Sequence, residues 1–295
     1  MLVGVVMAAA VGCEDKQAQT QSSPPSQSAP TPKPAPEEPA SSLSWAEVLE
    51  ENPDPNVVTD ANSLKRIKAT GLPWRVKHKS TGIEMVLVPP GMFTMGASPG
   101  DSNAGEDEQP AHEVTITKPF YIGRTEVTQA QWFKVMDTNP SKLRGESHPV
   151  DGLSFDTTSV FFKKAGNGLR LPTEAEWEYA CRAGTKGATY GDPDLISWHS
   201  GSSESTSHSV GKLQPNALGL YDTLGNVLEW CQDWYGPYSS ASQTNPTGPA
   251  TGSHRLLRGG GWYDNSDYCR ASGRYYFTPA DIYYGHVGFR VVRTP

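Results

Sequence analysis

Short apolar runs that alternate with turn residues dominate the chain after residue 81. Ile83–Val88 and Glu113–Ile122 carry the β-branched and aromatic residues typical of strands, and Gly, Pro, Asn and Asp separate such runs. Helical spacing of apolar residues follows Thr128, Ser154 and Thr173. The pattern therefore predicts a mixed α+β domain with little regular secondary structure.

The helix after Thr173 has the clearest predicted boundaries. Thr173 and Glu176 form a capping box, in which each side chain can accept a hydrogen bond from the other residue's backbone N–H. Trp177 and Cys181 then share one face that is expected to be buried, and Gly184 is expected to end the helix. Two further short helices are predicted earlier, at Trp45–Glu50 and around Ser63.

The first 44 residues divide into an apolar stretch and a polar one. Residues 1–13 resemble an export signal that ends in a bacterial lipobox, with Cys13 as the lipidated residue. Residues 14–44 are rich in Pro, Ser and Gln and have too little apolar surface to offset the entropy of ordering, which predicts a disordered tether. An N-terminal extension, 45–81, and a globular domain, 82–295, follow.

This organisation predicts a chain exported to the bacterial envelope and held at a membrane by a lipid anchor, in the periplasm or on the surface. A cytoplasmic chain with a short apolar terminus is the alternative. The net charge of −7 argues against a nucleic-acid partner, which needs clustered excess Lys and Arg. The chain combines 29 Gly and 25 Pro with 8 Trp and 12 Tyr, a composition that predicts long loops with aromatic anchors.

Six motifs occur in order along the globular domain. They are GMFTMG at 91–96, KPFYIGRTEVT at 118–128, LRLPTEAEWEYA at 169–180, GLYDTLGNVLEW at 219–230, LRGG at 257–260 and GFR at 288–290. Together they resemble the sulfatase-modifying-factor domain, the family of the formylglycine-generating enzyme, from roughly Gly82 to Thr294. The resemblance implies an α+β fold related to C-type lectins and low in regular secondary structure.

The resemblance also implies an activity that the cysteines of this chain match only in part. The enzyme oxidises a sulfatase cysteine to formylglycine with copper(I) and dioxygen, and it uses two cysteines after the Arg-Gly-Gly segment because paired thiolates bind a soft ion. When the loop is aligned forward from Gly260, Asp264 stands at the position of the enzyme's first catalytic cysteine and Cys269 at that of the second. When the loop is aligned backward from Arg270, neither catalytic cysteine has a counterpart. Either count breaks the pair, so Cys269 is a catalytic candidate only if the chain is an oxidase.

A calcium site is implied in the same way. Its ligands would be a side-chain oxygen of Asp222, the carbonyl oxygens of Gly225 and Val227, and the carboxylate of Glu229. Hard Ca²⁺ takes mixed carbonyl and carboxylate ligands of this kind. The alternative is a turn whose carboxylates cap backbone N–H groups.

The cysteine count limits the disulfides. After lipidation of Cys13, three thiols remain, which allow at most one bridge. The resemblance implies a disulfide between Cys181 and Cys269. The alternative is three buried free thiols, since unpaired cysteine is commonly a small core residue.

Aromatic residues crowd the last forty positions, where the enzyme's peptide groove is lined. Because amphipathic rings often mark binding surfaces, Trp262, Tyr263, Tyr275 and Tyr284 are candidates for a ligand groove. The alternative is that these rings fill the core of a domain with few strands.

Other constellations are weaker. The seven His have no spacing typical of a zinc or iron site. Glu174, Glu176 and Glu178 are expected on a solvated helix face, with one capping role, rather than in acid–base chemistry.

The leading interpretation is an envelope-tethered lipoprotein whose formylglycine-generating-enzyme-like domain binds or scaffolds a peptide, protein or glycan. The alternative is a true formylglycine-generating oxidase that uses copper(I).

Overall fold

A computed structural model describes residues 43–282 and 285–295. Helices cover 19% and strands 21% of these residues, which confirms a mixed fold with little regular structure. The strands are β1 (Ala46–Glu50), β2 (Arg75–His78), β3 (Glu84–Val88), β4 (Gly91–Met95), β5 (His112–Ile116), β6 (Phe120–Gly123), β7 (Leu228–Trp234), β8 (Gln243–Thr244), β9 (Arg255–Arg258), β10 (Arg274–Phe277), β11 (Val287–Gly288) and β12 (Val292–Arg293). The α-helices are α1 (Ala61–Ala69), α2 (Gln129–Met136), α3 (Phe155–Ala165), α4 (Glu174–Arg182) and α5 (Pro193–Ile196).

The longer helices begin at the caps that the sequence predicts. The N-caps of α2, α3 and α4 are Thr128, Ser154 and Thr173. In α4, Thr173 Oγ1 accepts from Glu176 N at 3.1 Å, and Glu176 Oε2 accepts from Thr173 N at 2.9 Å, so the capping box is confirmed. The helix closes at Ala183, which takes the left-handed conformation one residue before the predicted Gly184.

The strand predictions are confirmed in part. Ile83–Val88 contains β3, and α1 confirms the helix around Ser63. The run Glu113–Ile122 forms two strands rather than one, and Pro119 lies between them because it has no N–H to donate to a ladder. The helix predicted at Trp45–Glu50 is wrong: Ala46–Glu50 forms β1, because antiparallel pairing with β2 overrides the local helical pattern.

Three sheets organise the domain. The largest has the strand order β1-β2-β3-β6-β12 and is antiparallel throughout. The second has the order β10-β9-β7-β11, with β11 parallel to β7, and the third the order β4-β5-β8, with β8 parallel to β5. Because β1 and β2 extend the sheet that contains β3, residues 45–81 belong to the same compact unit as the rest of the described chain.

Helix α4 lies in the core and contacts β4, β7 and β9, so it connects the second and third sheets. Trp177 and Cys181 are at most 1% exposed, as the spacing predicts. Every residue of α4 except Glu176 is buried. Among the residues described, no helix has the length and apolar character needed to cross a bilayer.

Candidate functional site

The loop between β9 and β10, residues 259–273, contains the positions that the sequence compares with catalytic cysteines. Gly259 and Gly260 open it with φ values of +98° and +71°. A Cβ at Gly259 would lie 2.9 Å from the carbonyl oxygen of Thr223, and a Cβ at Gly260 would lie 2.8 Å from Cys269 Sγ. Positive φ and close packing therefore both require glycine here, and the loop is fixed against the core where it begins.

Cys269 is buried in this loop and holds its proton. The residue is 1% exposed, and Sγ lies 4.0 Å from the carbonyl oxygen of Gly261. Burial, assisted by the charge of Asp264, raises the pKa of Cys269 to about 12. Because the thiolate is the form that binds metals and attacks other atoms, this thiol is not poised for either role.

Asp264, the other compared position, stabilises the turn. Its Oδ2 accepts from Gly261 N at 2.9 Å, and its own N–H donates to the carbonyl oxygen of Gly261 at 2.9 Å. Burial raises the pKa of its carboxyl group. The side chain closes a local turn, as Asp side chains commonly do, and does not replace a thiol.

The cysteines of the domain are free thiols in one apolar cluster. Cys181, Cys231 and Cys269 are each at most 1% exposed, and they pack with Trp177 and Leu256. The Cys181–Cys269 disulfide that the resemblance implied is not formed, so the alternative of three buried thiols replaces it. Burial raises the pKa of Cys181 to about 12 and raises the pKa of Cys231 as well, so these thiols behave as small apolar side chains.

Two glutamates of α4 are buried rather than solvated, which corrects the sequence expectation. Glu178 is fully buried and pairs with Arg258 at the end of β9. Glu174 Oε1 lies 2.7 Å from Arg274 Nε at the start of β10. Only Glu176 is partly exposed, and it has the predicted capping role. The two buried pairs hold both ends of the loop against α4.

The far side of the loop has a third arginine anchor. Arg270 Nη2 lies 2.6 Å from Glu108 Oε1, and Arg270 Nη1 lies 2.9 Å from Asp101 Oδ2. All three side chains are almost completely buried. Charge-assisted bonds of this kind combine energy with defined geometry, so the loop is rigidly positioned.

The segment compared with a calcium site packs against the loop. Gly225 N donates to the carbonyl oxygen of Gly259 at 3.0 Å. Both carboxylate oxygens of Glu229, one of the predicted ligands, already have partners. Arg290 Nη2 lies 2.6 Å from Oε1, and Arg290 Nε lies 2.6 Å from Oε2. Trp177 Nε1 also donates to Oε2 at 2.7 Å. Glu229 therefore positions Arg290 in this structure.

Two neighbouring carboxylates have oxygen atoms without partners. Asp222 Oδ2 accepts from Gly211 N at 2.6 Å, but Asp222 Oδ1 and both oxygens of the buried Glu126 have no hydrogen-bond partner within the described ranges. Burial raises the pKa of Asp222 to about 6 and that of Glu126 well above its ordinary value, and the charge of Glu229 acts in the same direction on both.

Sequence reasoning missed Glu126, although it lies inside the KPFYIGRTEVT motif. The available signal was a carboxylate immediately before an apolar residue, Val127, in a segment otherwise expected to be buried. In the part of the chain that is described, no three His, Cys, Asp or Glu side chains form a metal-binding group. A cation at this position would therefore need backbone carbonyl ligands as well.

Aromatic side chains cover the outer side of the loop. Trp262 and Tyr263 are in contact, with ring centroids 5.7 Å apart, and Tyr263 is 73% exposed. Tyr268 is also exposed, and its carbonyl oxygen accepts from the hydroxyl of the half-buried Tyr275 at 2.9 Å. We call Trp262, Tyr263 and Tyr268 the aromatic rim. Two predicted site residues, Tyr284 and Cys13, lie outside the described residues.

Comparison with known proteins identifies the family of the domain. A family model described as "Sulfatase-modifying factor enzyme 1-like domain" matches residues 73–295. The formylglycine-generating enzyme of Streptomyces coelicolor is 30% identical over 70% of this chain and 87% of its own length. The chaperone protein LppX of Paenibacillus barcinonensis is 30% identical over 61% of this chain and 78% of its own length. Among solved structures, Treponema denticola variable protein 1 is similar with a TM-score of 0.64 and 28% identity, over 72% of this chain and 95% of that chain.

Proposed function

Because the chain belongs to the sulfatase-modifying factor enzyme 1-like domain family, we propose that it is a binding or scaffolding member of that family rather than a formylglycine-generating oxidase. Its formylglycine-generating-enzyme-like fold, related to C-type lectins, is that of its structural relatives. One observation carries the proposal: the loop at 259–273 offers a single cysteine, and that cysteine is buried and protonated.

The residues of the loop do not fit copper(I). A soft ion of this kind is held by paired thiolates. Here Asp264 supplies a hard oxygen that is already bonded to the backbone of Gly261. The other two thiols, Cys181 and Cys231, are buried with raised pKa values in an apolar cluster. The loop therefore lacks the paired thiolates that copper-dependent oxidation of a cysteine requires.

The aromatic rim is the proposed ligand surface, for a peptide, protein or glycan. Tyr263 and Tyr268 present large rings to solvent at 73% and 54% exposure. Such rings give contact area at low entropic cost when their backbone is already fixed. The ion pairs of Arg258, Arg270 and Arg274 fix that backbone, so ligand binding would not have to order the loop.

The proposal includes a calcium ion bound by the segment that packs against the loop. Asp222 Oδ1 and both oxygens of Glu126 are buried and unpartnered, and hard oxygen donors in this condition suit Ca²⁺. The carbonyl oxygens of Gly225 and Val227 are the further ligands proposed, while Glu229 remains bound to its arginine. The ion would supply positive charge to the buried carboxylates and so stabilise the segment against which the loop packs.

The same proposal includes export to the bacterial envelope and a membrane tether through a lipid on Cys13. It is supported by the lipobox-like sequence and by the Pro- and Ser-rich residues 14–44. Incorporation of a labelled fatty acid into the native chain, abolished by Cys13→Ser, is the expected result. Equal labelling of the variant would contradict the anchor.

Copper(I) competition tests whether this chain is a binding domain or an oxidase. The purified chain is titrated against a chromophoric copper(I) chelator without oxygen, with Cys269→Ala as the matched variant. We expect no transfer of copper and identical curves. Stoichiometric uptake that requires Cys269 would overturn the proposal.

Binding at the aromatic rim is tested on peptide and glycan arrays. The native chain is compared with Tyr263→Ala and with Tyr276→Ala, an exposed tyrosine of β10 that is not part of the rim. We expect array signals that Tyr263→Ala removes and that Tyr276→Ala leaves in place. Signals that survive in both variants would assign binding to another surface.

A further inference from the structure

A second candidate site lies away from the loop, between α1, β4 and the C-terminal end of α4. It is a cavity of about 640 Å³, within the range that holds small organic ligands. Its walls include no residue of the aromatic rim, the thiol cluster or the calcium candidate. The apolar part of the lining consists mainly of Pro89, Met92, Phe93, Ala97 and Leu218.

One wall of this cavity comes from outside the matched family region. Ser63 and Arg66 of α1 line it, and α1 ends before residue 73, where the family match begins. The helix is fixed there by its N-cap, since Asp60 Oδ2 accepts from Ser63 N at 2.7 Å, and by the fully buried Ile67. The cavity is therefore a feature that this chain's own N-terminal segment completes.

Among the charged residues that line the cavity, one cation has no anionic partner within the lining. Arg182 is bound to the buried Glu178, with Nε 2.8 Å from Oε1. Lys186 and Glu113 are both exposed residues of the cavity lining, and their charges are opposite. Arg66 remains, and the carboxylate that interacts with it, Asp60 at the N-cap of α1, is not part of the lining, so the lining itself presents one positive charge among apolar side chains.

Arg66 also has donors to spare. Its Nε is buried without a hydrogen-bond partner in the described part of the chain, and Nη2 makes only a long 3.4 Å bond to Ser63 Oγ. A buried donor without a partner is destabilising, and an acceptor supplied by a ligand would remove that cost. A guanidinium matches a carboxylate especially well because its parallel N–H groups can bond both oxygens.

The hydroxyl of Tyr179 is a second hydrogen-bond donor, and it lies beside the guanidinium of Arg66. A Cβ at Gly91 of β4 would collide with both Arg66 Nη1 and the hydroxyl of Tyr179, so these two groups lie side by side over the glycine. The ring of Tyr179 packs against Phe93 with centroids 5.2 Å apart, and burial raises the pKa of Tyr179, which keeps the hydroxyl protonated as a donor. Glycine at 91 leaves the room that both groups occupy.

We propose that this cavity binds a small apolar molecule with one carboxylate group. Arg66 and the Tyr179 hydroxyl bind the carboxylate, and Met92, Phe93 and Leu218 enclose the apolar body. The single cation matches a single anionic charge, and the apolar walls match an alkyl or aromatic body rather than a sugar or a charged peptide. The site does not depend on the ligand or on the chemistry proposed for the aromatic rim.

Isothermal titration calorimetry with octanoate tests the site, on the full chain carrying Cys13→Ser so that no detergent competes. We expect saturable binding at one site, at least about tenfold tighter than octanol binds, since a charge-assisted bond is lost with the neutral alcohol. Arg66→Gln should weaken octanoate at least about tenfold. The control Lys68→Gln, an exposed cation of the same helix, should change affinity less than about twofold.

The proposal would be overturned by no saturable binding of octanoate, by equal binding of octanol, or by an Arg66→Gln variant that binds as the native chain does. Octyl phosphate is titrated in parallel, and tighter binding of it than of octanoate would overturn the carboxylate assignment. Met92→Trp provides a second variant should Arg66→Gln fail to fold. Met92 lines the cavity and is 58% exposed, so tryptophan should be tolerated there and should narrow the space for the apolar body of the ligand. Unchanged octanoate affinity in this variant would also overturn the proposed site.

Discussion

Replacing Glu178 with glutamine should strongly destabilise the domain. The Glu178 carboxylate is fully buried and accepts from Gly96 N at 2.9 Å, from Arg182 Nε at 2.8 Å and from Arg258 Nη2. Glutamine removes the negative charge and converts one acceptor into a donor. Within the described residues, Arg258 then keeps one ion pair, with Glu174 Oε1 3.6 Å from its Nη1, and Arg182 keeps uncharged partners such as Ser98 Oγ and the carbonyl oxygen of Gly96.

The size of the effect follows from the burial. Breaking a buried ion pair by removing one partner costs about 3–5 kcal/mol, whereas an exposed pair contributes about 0–1 kcal/mol. In a domain of this size, about 3 kcal/mol lowers Tm by roughly 6–12 °C. Urea unfolding followed by tryptophan fluorescence measures the loss directly.

The matched control is Glu50→Gln, which breaks the Glu50–Arg75 pair with side chains that are 35% and 22% exposed. It should lower the free energy of unfolding by less than about 1 kcal/mol. A loss below about 1 kcal/mol for Glu178→Gln, or equal losses in the two variants, would refute the claim that this buried pair anchors the loop.

Three other predictions follow from the buried polar groups. Burial and the charge of Glu174 raise the pKa of Asp233 from 3.8 to about 7, so the folded chain retains a proton that the unfolded chain releases. Stability should therefore fall as the pH rises across that interval, and Asp233→Asn should flatten the fall in urea titrations over the same range. Thiol labelling should modify none of the domain's cysteines in the folded chain and all three after unfolding without reductant, whereas a single reactive thiol would reveal a disulfide. Chelation of calcium should lower the Tm of the native chain at neutral pH but not that of Asp222→Asn, and an unchanged native Tm would remove the calcium proposal.

Features encoded within a few residues were predictable from the sequence. The starts of α2, α3 and α4 depend on caps at Thr128, Ser154 and Thr173, which act on N–H groups within three residues. The six motifs likewise identified the family and the loop that contains Asp264 and Cys269, and in the structure both side chains contact the backbone of Gly261.

Features set by distant partners were not predictable. Ala46–Glu50 forms a strand because β2, about thirty residues later, pairs with it. Glu178 and Glu174 are buried because arginines 80 and 100 residues away neutralise them, and no helix pattern contains that information. The protonated state of Cys269 and the Arg66 cavity also depend on tertiary burial.

The central claim, that this member of the family does not oxidise cysteine, is tested most directly by mass spectrometry of a product. A cysteine-bearing sulfatase-motif peptide is incubated with the purified chain, copper(I) and oxygen, and the Streptomyces coelicolor formylglycine-generating enzyme serves as the positive control. The account predicts conversion of the peptide cysteine to the aldehyde by the control and an unchanged peptide with this chain. Conversion by this chain that Cys269→Ser abolishes would contradict the account.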